Sequence, residues 1–288
     1  MMIKANFQKL KIFISIQTMK IYMYVLGASS NPDNISCSVP KKVNDKIVFF
    51  GPCKKRLRDQ FYENYLSTSD SRELSPPEDI YLIGINASNA KEPRKIVWVG
   101  KVKKFLTFEK AYNIFSKMKT YQKLMNEIES PMHVMPKYKD GCFIGYKHRK
   151  ALHKNSWESD IVKPKTLKDS ALVRKNGNEL ILFNASEKKS VFTRDCCFIC
   201  DNIFFADGKG IDIDDVILEI LKDEQNKRGI SSYSIFGGSR GRAIGLRGSW
   251  LEIMKNQKKL IKHIIKRAKE INAISKKNLK APQNKSCC

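Results

Sequence analysis

Four short apolar runs, each stopped by turn chemistry, decide most of what this chain is able to become. They are "KIYMYVLG" (20–27), "DKIVFFG" (45–51), "DIYLIGI" (79–85) and "RKIVWVGKVKKFL" (94–106). Runs of this length, rich in β-branched and aromatic residues and bounded by Asp, Asn or Gly, read as strands. Gly100 inside the fourth marks a bend or bulge.

Helical patterns lie between and after them. In "CKKRLRDQFYENYL" the residues Leu57, Phe61, Tyr65 and Leu66 share one helical face and the cations lie largely on the other. Thr107 is placed to cap a helix carrying Ala111, Phe115 and Met118. Residues 130–170, with Pro131, Pro136 and Pro164, read as loop. Asn176-Gly177 between alternating apolar residues marks a hairpin, and "RDCCFICDNIFFADGKG" a buried strand. "DIDDVILEILKDEQ" opens with acids at the positive dipole end and spaces Val216, Ile217, Ile220 and Leu221 as a helix. A last helix is expected from Trp250 to Ile274, with an apolar stripe from Leu251 and Met254 to Ile271 and lysines around the rest. The fold class is therefore α+β.

With 288 residues, 42% of them hydrophobic, the chain buries a sizeable core. Its expected divisions are an N-terminal extension (1–18, with Met19 a candidate start), a main domain (19–225), a Gly/Arg loop with a basic amphipathic helix (226–275), and a disordered tail (276–288).

Fifty-four Lys and Arg against twenty-nine Asp and Glu leave a formal charge of +25. Such an imbalance repels itself unless a polyanion gathers around it, so nucleic acid is the expected partner. The competing reading is a coding bias toward lysine that only solubilises the surface. Eight cysteines at uneven spacing do not make a disulfide scaffold and fit a reducing cytoplasm. The N-terminal apolar run "IFISI" is too short to span a membrane.

Candidate contacts follow. Lys54, Lys55, Arg56 and Arg58 leave the Gly51-Pro52 turn at a helix start, where phosphate is favoured, so they read as phosphate contacts; an ordinary strand-to-helix turn with solvated cations is the alternative. Arg240, Arg242 and Arg247 stand among glycines as a second phosphate contact. Phe50, Tyr81, Trp98 and Trp157 are the candidate base pocket, since base stacking on an aromatic ring contributes about 1–3 kcal/mol. Phe50, Tyr81 and Trp98 equally suit a core, whereas Trp157 falls in a polar stretch with little local core to join.

The "CFIC" pair lacks the second pair a zinc site needs, and in a strand Cys197 and Cys200 face opposite ways, so no metal or cofactor is expected. Asp195, Asp212, Asp214, Asp215, His133, His148 and His153 are available for acid–base work, but no known chemistry demands their spacing.

The order of these pieces resembles the second nucleotide-modification-associated domain family, within the PUA-like, EVE-like and YTH-like group. The likeness rests on Asn31-Pro32, the segment from Cys53 to Arg58, the strand from Ile96 to Val102 leading into "LTFEKAY", "YKHRKALHKNSW", and the strand ending "NIFFADGKG". It covers roughly residues 19–215. The loop after Pro32 lacks an expected aromatic, no "GDW" strand follows the basic segment, and the region after about 225 has no counterpart. The resemblance implies a PUA-like twisted or closed β-barrel flanked by helices, in prokaryotes or phages, beside nucleic-acid modification or defence. It also implies reading of a modified base flipped into an aromatic pocket. The expected function is recognition of a base or base modification in nucleic acid; the alternatives are an enzyme acting on nucleotides or modified bases and a protein-interaction module.

Overall fold

The computed structural model describes residues 19–28, 40–52, 54–68, 72–87, 95–126, 132, 134–148, 157–168, 171–184, 186, 188–227 and 250–280. In chain order these form β1 (Met19–Ala28), β2 (Lys41–Lys42), β3 (Ile47–Phe50), α1 (Lys55–Phe61, continued as a π-helical turn over Tyr62–Leu66), β4 (Glu73–Leu74), β5 (Asp79–Ala87), β6 (Lys95–Leu106), α2 (Phe108–Phe115) and α3 (Gln122–Asn126). They continue with β7 (Val134–Lys139), β8 (Cys142–His148), α4 (Pro164–Leu167), β9 (Val173–Asn176), β10 (Glu179–Leu182), α5 (Lys188–Val191), β11 (Cys197–Phe205), β12 (Ile211–Asp212), α6 (Asp215–Lys227), β13 (Trp250–Ile253) and α7 (Gln257–Lys280).

The larger sheet runs β13-β1-β5-β6-β11-β3-β2, with β4 and β12 pairing β6 beside this path. All its pairs are antiparallel except β1 with β5. That parallel pair reads as unbroken apolar sequence because parallel strands are covered on both faces; Ile21 to Leu26 are all buried. The sheet is open, which corrects the expectation of a closed barrel: no ladder joins β13 to β2 among the described residues. The β2 edge is only two residues long and made of lysines, a length and charge that discourage further pairing.

The second sheet, β7-β8-β10-β9, is antiparallel throughout. Half of it falls where the proline-rich stretch reads as loop. Asp140 and Gly141 both take positive φ (50° and 76°) and close the β7/β8 hairpin, as Asp-Gly does in tight turns. Pro136 is tolerated because β7 is an edge strand. The expected hairpin at 176–177 is present, with Gly177 at φ 56° in a two-residue turn.

Two hydrophobic cores share strands β3 and β11. Val48, Phe50, Cys196, Phe198 and Cys200 enter the first core; Phe49, Cys197 and, partly buried, Ile47 and Ile199 enter the second. Strand alternation sends neighbouring residues to opposite faces. The first core joins the larger sheet to α1, α6 and α7, and the second joins it to α2, α3 and the smaller sheet.

The C-terminal region is built into the first core and is not an appendage. Trp250–Ile253, expected to begin the last helix, instead pairs antiparallel with β1, and Asn256 at φ 54° turns the chain into α7. Leu260, Ile261, Ile264, Ala268 and Ile271 are buried as the stripe requires, while Met254 is 60% exposed. The helix runs to Lys280, into the stretch expected to be disordered.

Candidate nucleic-acid interface

The basic segment at 54–58 is turned largely inward. Lys54 takes φ 57° at the entry to α1, donates to the Val25 carbonyl and sits 5.4 Å over the Tyr24 ring. Lys55 donates to Ser159 Oγ and lies 3.2 Å from Asp160 Oδ1. Arg58, expected on the solvated face, is 0% exposed. Its guanidinium donates to the carbonyls of Pro52 (2.6 Å), Asp160 (2.6 Å), Cys196 (3.3 Å) and Arg194, and lies over the Phe108 ring at 5.6 Å. A side chain so enclosed cannot reach a backbone phosphate, which corrects the assignment of Arg58. Arg56 alone of the four is exposed. Together with the Arg194–Asp59 ion pair (2.9 Å) and the Arg194 bond to the Ser159 carbonyl (2.7 Å), Lys55 and Arg58 clamp α1 to residues 159–160 and 194–196.

Phe50 and Trp98 come together but leave no open face. Their rings stack 6.1 Å apart, Phe50 stacks on Phe198 at 5.1 Å, and Trp98 Nε1 donates to Tyr24 Oη at 2.6 Å. The indole fills the space that side chains at 84 and 100 would occupy: a Cβ on Gly84 would lie 2.1 Å from Trp98 Cδ1, and one on Gly100 2.4 Å from another atom of the same ring. The feature at Gly100 is thus a close approach; the ladder irregularity beside it falls between Asn202 and Phe204 on β11. Tyr81, buried in the same core, is met by the Lys101 ammonium at 5.8 Å. Trp157 is in the second core, not in an open loop, and stacks on His148 at 5.2 Å. It is therefore not brought together with the other three. Arg240, Arg242, Arg247, His133 and His153 lie outside the described residues.

Cys197 and Cys200 enter different cores, so their thiols do not converge; burial pushes the pKa of each, and of Cys196, up.

A buried polar cluster that sequence patterning does not single out surrounds the start of α2. Three of its first amides are satisfied from three parts of the chain: Phe108 N–H by Asp195 Oδ1 (2.7 Å), Glu109 N–H by Tyr146 Oη (3.2 Å) and Lys110 N–H by Thr107 Oγ1 (3.2 Å). These are donors that helix geometry leaves without partners, and the Thr107 cap is the one legible beforehand. Tyr146 Oη donates to Asp195 Oδ2 at 2.5 Å. Lys188 and Arg72 both donate to Glu109 Oε2. Burial raises the Asp195 pKa above the ordinary carboxylate value, against the pull of Lys188 and Tyr146, and raises the Tyr146 hydroxyl too.

On the outer side of α7, Lys258, Lys259, Lys262, Lys266 and Lys269 are exposed. The helix is fastened to α6 by Asp214, whose Oδ1 accepts from the Ile217 N–H (3.2 Å) and whose Oδ2 lies 2.6 Å from His263 Nε2 and 3.8 Å from Arg267 Nε. Burial opposes ionisation of Asp214, but His263, the Ile217 N–H and Arg267 outweigh it and hold its pKa below the ordinary value of 3.8. A carboxylate with a depressed folded pKa contributes stability above its unfolded pKa and loses it as pH falls through the folded one. Wild type is thus expected to melt above Asp214→Asn at pH 7, with the gap closing below about pH 4; thermal melts across pH check this.

No family model, curated protein or solved structure matches this chain. Among the described residues no helix is long and apolar enough to cross a membrane.

Proposed function

We propose that this protein binds nucleic acid and senses a base or base modification, in the manner that its resemblance to the PUA-like nucleotide-modification-associated group implies. The observation that carries the binding half is an uncompensated positive surface. Lys117, Lys119, Lys147, Lys165, Lys168, Lys258, Lys262 and Lys266 are exposed, and no carboxylate pairs with them among the described residues. Exposed cations without partners are what a polyphosphate neutralises, with release of counterions. The sensing half rests on the resemblance and requires a pocket beyond the packed rings of Phe50, Tyr81, Trp98 and Trp157.

Fluorescence-anisotropy titration with single- and double-stranded DNA and RNA, plain and base-modified, at several salt concentrations tests both halves. Binding is expected to weaken steeply with salt and to differ between modified and plain strands. Absence of binding at low salt sinks the whole reading; salt-dependent binding that ignores modification sinks the sensing half.

A second reading, an enzyme acting on nucleotides, has one observation in its favour. The buried carboxyl of Asp195 with a raised pKa, beside Tyr146 and Lys188, is the kind of perturbed group that active sites use. Against it, the same groups already cap α2 and neutralise one another.

A further inference from the structure

Resting on the nucleic-acid reading, we infer that the contact surface is the outer face of α7 and that its partner is double-stranded DNA. Over 257–280 the sequence places nine cations against the single acid Glu270. Lys258, Lys262, Lys266 and Lys269 are exposed and, at 100° per residue, fall within about 80° of arc, opposite the buried Leu260, Ile264, Ala268 and Ile271. They make a straight stripe about 16 Å long, a length over which each DNA strand presents about five phosphates. Among the described residues none of the four has an ion pair; the neighbouring Lys259 has Glu219 at 3.6 Å.

Two further observations favour this partner. The first turn of α7 holds no acid and carries Lys258 and Lys259, cations placed against the helix dipole. Local conflicts of this kind concentrate where function demands them. The helix also contains no Phe, Tyr or Trp, and the exposed aromatics among the described residues, Tyr138 and Phe183, belong to the smaller sheet and its margin. A surface of lysines with no stacking ring suits duplex phosphates better than single strands, whose binding relies on stacked bases. An α-helix fits the major groove of B-DNA, while that of A-form RNA is too narrow for side chains to read. An anionic membrane is the lesser match, because the apolar face that would enter it is already buried in the first core.

The test uses the full chain and three proteins: wild type, Lys258→Ala/Lys262→Ala/Lys266→Ala/Lys269→Ala, and a control losing the same charge at exposed positions elsewhere, Lys46→Ala/Lys103→Ala/Lys139→Ala/Arg174→Ala. Alanine is the best helix former, so the α7 variant is expected to stay folded, with a circular-dichroism melt and a Lys→Gln version as checks. With a 20-base-pair DNA duplex the α7 variant is expected to bind on the order of 10³-fold more weakly near 0.1 M salt. Its slope of log K against log salt should be shallower by about 3.6, or 0.9 per lost contact. The control should stay within a few-fold of wild type. Equal losses in the two variants overturn the inference, as does an α7 variant that binds like wild type; both leave the general nucleic-acid reading standing. Preference of wild type for single strands or duplex RNA also overturns it and leaves that reading intact. Failure of wild type to bind any nucleic acid at 50 mM salt overturns both, whether or not it sediments with phosphatidylserine vesicles.

Discussion

Replacing Arg58 by alanine is expected to cost about 3–5 kcal/mol, the scale for removing one partner from a buried charge network. Four backbone carbonyls from 52, 160, 194 and 196 converge on this guanidinium, and its loss leaves them facing one another across a cavity. Against a total stability of about 5–15 kcal/mol this removes a large share. Lysine should rescue little, because one ammonium cannot replace a planar fork of five donors. Arg56→Ala, at an exposed position of α1, is expected to change stability by less than about 0.5 kcal/mol. Urea unfolding of the three variants gives the answer; an Arg58→Ala protein as stable as Arg56→Ala would mean that the guanidinium does not clamp α1.

Trp98→Ala is expected to be comparably severe, about 3–5 kcal/mol, since it empties the centre of the first core. Gly84→Ala disturbs the same site from the other side, by forcing a methyl to 2.1 Å from the indole, and should cost about 1–3 kcal/mol by overpacking. Because the two changes act on one volume, Gly84→Ala combined with Trp98→Phe should cost less than the sum of the singles. Strict additivity in a double-mutant cycle would argue that the ring is not in contact with position 84.

The strands were legible where residues repeat a simple local rule. The runs at 20–27, 45–51, 79–85 and 94–106 became β1, β3, β5 and β6, Thr107 caps α2, and Asp214 caps α6. The failures share one origin. Prolines and clustered cations disguised the β7/β8 hairpin, although Asp140-Gly141 between alternating apolar residues was the available signal. Without that sheet the second core could not be foreseen, so Trp157 read as an aromatic with nothing to pack on. Arg58 was illegible for a related reason: two of its partners lie 102 and 136 residues away, and one-dimensional patterning assigns any cation to the solvent. Trp250–Ile253 reads as helix because four residues are too few to show a decisive period, and the edge of β1 decides it. The α7 face was visible as a lysine face from the start, and what the structure adds is that its exposed stripe faces away from the core.

The sharing of β3 and β11 between two cores also bears on how the molecule breathes. In many proteins a sheet and its satellite separate as cooperative units with their own opening free energies. Here, lifting the smaller sheet uncovers Phe49 and Cys197, the reverse faces of the same strands that hold Phe50 and Phe198 in place. Partial opening of either half therefore strips one side of a strand on which the other half depends. Amide hydrogens along β11 are therefore expected to exchange with solvent only through opening of the whole protein, which native-state hydrogen exchange checks.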